Sequence, residues 1–99
     1  MVRIMRTGRV ARGKFPQMIQ FAKEITEYIK AKYGSQSSAY MDSFGEYGTV
    51  RWFHDFESLA AFEKSFANLM TDQEYWQKVS KAADLFIEGS ITDTVMTSL

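Results

Sequence analysis

Within a few positions, the stretch from Gly48 to Leu69, GTVRWFHDFESLAAFEKSFANL, changes its hydrophobic period from two residues to 3.6. Val50, Trp52, His54 and Phe56 alternate with Thr49, Arg51, Phe53 and Asp55, the pattern of a strand whose two faces meet different surroundings. Ser58 ends the strand with a hydroxyl able to cap a helix. Leu59, Phe62, Phe66 and Leu69 then fall three and four apart on one helical face. A strand that runs straight into an amphipathic helix implies a sheet with helices laid on it, and the other segments read as its packing partners.

Val2, Ile4 and Val10, set among Arg3, Arg6 and Arg9, predict a first strand over 2–11. Pro16 stands where a first helical position should be. Met18, Phe21, Ala22, Ile25 and Ile29 form the stripe of a helix over 16–33, which Gly34 can close. A second strand is predicted over 38–44, with Gly45, Glu46, Tyr47 and Gly48 as the turn that makes a hairpin with the third strand, 49–56. Thr71 lies three residues before Glu74, a capping box that restarts a helix carrying Tyr75, Val79, Ala82 and Phe86. The second helical region is thus expected over 58–86, interrupted around Thr71, and ITDTVM supplies a closing strand over 91–96. The order strand, helix, strand, strand, helix, strand is the ferredoxin-like split βαβ of the α+β class. It predicts one domain over 1–99, a four-stranded antiparallel sheet with its helices on one face.

Ninety-nine residues bury one core and leave no room for a second. Eight Phe, five Tyr and two Trp make that core, or core plus interface, rich in large side chains. With no cysteine there is no disulfide framework, thiolate zinc site or cysteine nucleophile, and one histidine excludes a His-rich metal site within a chain. No metal and no cofactor is expected. No apolar run approaches the roughly 20 residues of a membrane span, and MVRIMR lacks the apolar core of a secretory signal. A soluble cytoplasmic protein without a membrane partner is the expectation.

Formal charge is zero but uneven. Residues 1–32 hold eight Lys or Arg against Glu24 and Glu27, net +6, and the remaining four bases and ten acids give 33–99 a net −6. Such a split can mark a basic nucleic-acid arm or a transit peptide. Charges that cancel offer little long-range attraction to phosphate, so a basic strand and helix packed beside acidic ones is expected, with no nucleic-acid partner.

His54 is the only side chain that would titrate near neutral pH unperturbed, and it shares a face with Val50, Trp52 and Phe56. One reading is a neutral core histidine hydrogen-bonded to a helix or a buried water. The other makes His54 a catalytic proton acceptor in an aromatic pocket between sheet and helices, lined by Trp52, Phe56, Phe21, Phe62 and Phe66 and sized for a small apolar molecule. On the opposite face, Arg51 and Asp55 flank Phe53, which would have nothing to pack on in a lone chain. A second copy of the same sheet is the simplest cover, so Arg51, Phe53 and Asp55 are the predicted homodimer interface. No P-loop, GxSxG, HExxH or calcium loop occurs, and the carboxylate pairs are spread along elements instead of converging.

Two resemblances accompany these readings. Tyr47 to Trp52 resembles part of the third-strand signature of RNA-recognition motifs, but Glu46 replaces its glycine, Thr49 replaces a stacking aromatic, and the first strand has no aromatic. The segments RTGRVARGKFPQMIQFAKEI, VRWFHDFESLAAFEKSF and TDQEYWQKV resemble the dimeric α/β-barrel superfamily, the ferredoxin-like group that includes antibiotic-biosynthesis monooxygenases and NIPSNAP-like proteins. That resemblance implies a homodimer whose sheets form a barrel, with a pocket in each subunit between sheet and helices. The group includes cofactor-free monooxygenases, isomerases, haem-degrading enzymes and proteins without known activity, so fold alone does not set the reaction. The haem-degrading pattern is not met: the first strand has no Asn, Phe56 stands in place of a Trp, and no His follows Ser58. Two functions stay open. The chain is an uncharacterised homodimer that binds a small apolar or aromatic metabolite, or nothing, beside a structural His54. Alternatively it is a cofactor-independent monooxygenase or isomerase in which His54 takes a proton while Trp52 and Phe56 stack on the substrate.

Overall fold

Strand alternation and helix caps place eight elements along the chain. They are β1 (Val2–Arg9), α1 (Phe15–Tyr33), β2 (Gln36–Met41), β3 (Thr49–Phe56), α2 (Leu59–Met70), α3 (Gln73–Lys81), a 3₁₀ turn (Ala83–Leu85) and β4 (Thr92–Thr97). The computed structural model describes residues 1–45 and 48–99. One antiparallel sheet has the order β2-β3-β1-β4, the ferredoxin-like arrangement expected. Glu46 and Tyr47 of the predicted turn lie outside the described residues, while β2 and β3 on either side of it pair as a hairpin does.

The caps explain the helix boundaries. Ser58 accepts the Ala61 N–H at 3.1 Å, and Gly34 takes the left-handed conformation, φ 63°, that lets its N–H close α1 on the Lys30 carbonyl. Three expectations need correction. The cap of α3 is Asp72, whose carboxylate accepts the Tyr75 N–H, and not Thr71, whose hydroxyl donates to the Asn68 carbonyl at the end of α2. An anionic oxygen is the better acceptor at the positive end of a helix. Strand β2 stops at Met41 and does not reach residue 44: the Asp42 N–H still bonds the Thr49 carbonyl and its side chain pairs with Arg51, but the chain bends away beyond it. Phe86 is extended and not helical: Val10 bridges to it, and the Ile87 N–H bonds the Arg9 carbonyl.

Register assigns the two faces. Val50, Trp52, His54 and Phe56 share one face with their β1 partners Gly8, Arg6, Ile4 and Val2. On this side Met18, Ala22, Ile25 and Ile29 of α1 pack with Val50, Trp52 and Tyr75, and Met18 and Val50 are each only 1% exposed. Gly8 leaves room for its neighbours here: a Cβ on it would stand 2.7 Å from Ile91 Cδ1 and 3.2 Å from the Phe86 ring, so the Ile91 side chain would have to shift. Helix α2 differs. None of its residues is buried, and Leu59 and Phe66 are 52% and 44% exposed, although Leu69 reaches the core.

The charge asymmetry is absorbed within the fold. Arg3 meets Asp55, Arg6 meets Asp93 and Lys32 meets Asp72, each base from the first third of the chain pairing with a later acid. Among the described residues no helix is long and apolar enough to cross a membrane, and no cluster of three or more His, Asp or Glu could hold a metal ion.

Candidate functional site

Strand β3 carries the candidate site because its alternation sends Trp52, His54 and Phe56 under the helices. The aromatic residues expected to line one pocket separate into two groups. Trp52 meets Phe21 and Phe86 edge-on, with centroids 6.3 and 5.9 Å away, and Phe21 meets Phe86 at 6.1 Å. Phe56 instead packs on Phe62 at 5.5 Å, and Phe62 on Phe66 at 5.8 Å. His54 stands between these groups on the strand.

Polar atoms without partners concentrate on β3 and its neighbours. Trp52 is 7% exposed and Ser37, the β2 partner of His54, 3%, yet neither the indole Nε1 nor the Ser37 hydroxyl has a hydrogen-bond partner among the described residues. Thr26, on the buried side of α1, has an unpartnered hydroxyl too. An orphaned buried donor costs about 1 to 3 kcal/mol, a cost that an ordered water or a ligand oxygen would relieve. The His54 ring is half-buried and receives no hydrogen bond from a described residue. Burial holds its pKa below the ordinary histidine value, the Arg6 charge lowers it further, and Asp93 and Asp55 pull the other way. A neutral imidazole is the form able to take a proton. Of the two partners that the core reading allows His54, a helix or a buried water, no described helix residue supplies a hydrogen bond.

Sequence reasoning missed the charged pair beside this histidine. Arg6 and Asp93 are cross-strand partners of β1 and β4 and bind by two bonds of 2.7 and 2.9 Å. It also missed a polar knot at the start of α3. There the buried Asp72 carboxylate accepts from Tyr33 at 2.6 Å, Tyr28 at 2.7 Å, Lys32 at 3.0 Å and the Tyr75 N–H at 3.1 Å. These bonds, Tyr33 foremost, hold its pKa well below the carboxylate range against the opposing push of burial. Tyr28 is pushed up to about 12, chiefly by burial and then by Asp72. Every acceptor position of Asp72 is used, so the knot ties α1 to α3 and leaves nothing for chemistry.

On the open face, Phe53 is not without company: Tyr40 meets it edge-on at 5.8 Å and the Arg3 guanidinium lies 5.6 Å from its ring centre. Adjacent strands place these neighbours there, which corrects the expectation of a bare ring. Asp55 accepts two bonds from Arg3, and Asp42 accepts two from Arg51.

A cleft of about 360 Å³ opens between α1 and α3. Phe21, Ile25, Ala82 and Leu85 form its floor, with Lys78 and Lys81 on one rim and Gln17, Gln20 and Glu24 on the other. Of the residues expected to line a pocket, Phe21 alone does so here; Trp52 lies behind it, and Phe56, Phe62 and Phe66 lie elsewhere.

Comparison with known proteins gives a consistent fold. The NIPSNAP family profile matches residues 4–98. A NIPSNAP family protein of unknown function from Agrobacterium tumefaciens superposes with a TM-score of 0.81 at 22% identity, covering 97% of this chain and 86% of that one. An uncharacterised NIPSNAP domain protein from Burkholderia xenovorans gives 0.84 at 15% identity, over 100% and 95%. A putative antibiotic biosynthesis monooxygenase from Deinococcus radiodurans gives 0.74 at 14% identity, over 99% and 92%. No curated protein matches the sequence.

Proposed function

This chain belongs to the NIPSNAP family, and from that premise we propose that it is a homodimer in which each subunit binds a small apolar or aromatic molecule between sheet and helices. The observation that carries this reading is the set of orphaned groups on one sheet face: Trp52 Nε1 and Ser37 Oγ, buried without partners, beside a His54 that no described residue bonds. An indole N–H only donates, so the complementary ligand presents an acceptor oxygen, a carbonyl or phenolic group, while its apolar body meets Phe56 and Phe62. The dimer forms through the open sheet face, where Arg51, Phe53 and Asp55 stand only half-buried in one chain. Phenolic and quinone-like compounds titrated against a Trp76→Phe variant, which leaves Trp52 as the only tryptophan, test the site. Saturable change in Trp52 fluorescence supports it, and an unchanged signal across the panel rejects it. Sedimentation velocity at micromolar concentration tests the dimer, and a monomer rejects it.

One observation favours catalysis as the second reading. His54 is half-buried, receives no hydrogen bond from a described residue, and has its pKa lowered by burial, an environment suited to a general base that waits for substrate. In this reading the chain is a cofactor-independent monooxygenase or isomerase, and His54 removes a proton from a substrate that Trp52 and Phe56 hold. Turnover of the same panel that His54→Ala abolishes supports the enzyme; turnover that survives the substitution removes the role.

A further inference from the structure

The cleft between α1 and α3 is separate from His54, and its lining has its own chemistry. We propose that it is a binding site for a small monocarboxylate with an apolar body, an aromatic or short-chain acid. Its size lies at the lower end of small-molecule sites, and its floor is apolar. Ile25, Ala82 and Leu85 are buried, and Phe21 is fixed edge-on by Trp52 and Phe86, so the floor cannot fold into the cleft. Gln17, Gln20, Phe21 and Glu24 recur three and four apart along one face of α1, and Lys78 and Lys81 stand one turn apart on the facing side of α3.

Charge chooses the ligand class. The rim carries two ammonium groups and one carboxylate, a net single positive charge. Lys78 keeps its Nζ 5.4 Å over the Tyr28 ring, and Lys81 is exposed with no ion pair among the described residues. Glu24 would repel an anion, but it sits on the opposite rim, where the Gln20 amide donates to it at 3.4 Å. A ligand carboxylate is therefore drawn to the α3 rim, and its apolar body falls across Phe21 and Leu85. A neutral ligand gains nothing from the lysines, and a dianion exceeds the charge the rim supplies.

The test uses the full chain with benzoate and octanoate, each beside its primary amide, followed by backbone amide NMR. The acids should shift Phe21, Ala82 and Leu85 and bind about tenfold more tightly than the amides. Lys81→Gln should narrow that preference and Lys78→Gln/Lys81→Gln should remove it, with the circular dichroism of both variants unchanged. His54→Ala should leave it intact. Acids no tighter than amides, a preference that survives the double variant, shifts that map away from the cleft, or acid binding lost in His54→Ala would each overturn the proposal. Failure of phenols to reach Trp52 bears on the sheet site alone and leaves this one standing.

Discussion

Helices α1 and α2 carry the same kind of apolar stripe and meet opposite fates. Met18, Ala22, Ile25 and Ile29 of α1 are buried against Val50 and Trp52, whereas Leu59 and Phe66 of α2 stay about half exposed and no residue of that helix is buried. The strand beneath follows suit: Val50 and Trp52 are closed off, while His54 and Phe56 at the far end of β3 are only half-buried. Periodicity decides that a segment is helical, but what covers the stripe is decided by where the chain sends the helix axis. One end of the sheet face is closed within the chain, and the other stays partly exposed.

The largest expected effect separates the two stripes. Met18→Ala should cost about 2 to 5 kcal/mol, because a side chain 1% exposed leaves a cavity, and Phe66→Ala should cost under about 1 kcal/mol in the isolated chain. Urea unfolding of both variants measures this. A loss at Phe66 as large as at Met18 would break the contrast and mean that the α2 stripe is covered in solution.

Next comes the knot that fastens α3 to α1. Asp72→Asn should lower the melting temperature by on the order of 5 to 10 °C at neutral pH. The Asp72 carboxyl lies below its unfolded value in the fold, so its stabilisation is fully present above about pH 4 and is lost as pH falls through the folded value. The variant should therefore show a flatter acid limb in thermal melts from pH 6 to pH 2. An equally steep limb would show that Asp72 is not what ties the helices.

How much of this was legible in the sequence depends on distance along the chain. Ser58 and Gly34 announced their helix ends because capping is local, and β3 was found residue for residue because its alternation is complete. Phe86 kept helical spacing after Tyr75, Val79 and Ala82, yet the chain tightens to a 3₁₀ turn and the Val10 bridge takes its backbone. The Arg6–Asp93 pair spans 87 residues and Tyr28–Asp72 spans 44, and no local pattern signals either. Trp52, His54 and Phe56 were correctly placed on one face, but the two separate aromatic groups depend on helix positions that only tertiary packing fixes.

A smaller effect sharpens the contrast at His54. As the only histidine, it gives a single imidazole resonance, and its titration midpoint should fall below about 6.5, with the associated stability present above that value and lost as pH drops through the folded midpoint. A midpoint at or above 6.5 would place the ring in water or beside a dominant carboxylate, contrary to its position.

The most direct measurement follows the Trp52 indole N–H and the His54 ring together by NMR while a phenolic or quinone-like ligand is added. If the stretch of the sheet face from Trp52 to His54 is a binding site, both resonances move along one saturable curve, and Ser37→Ala weakens it. If ligands bind while both resonances stay fixed, or if nothing in the panel binds, these buried polar groups do not form a ligand site.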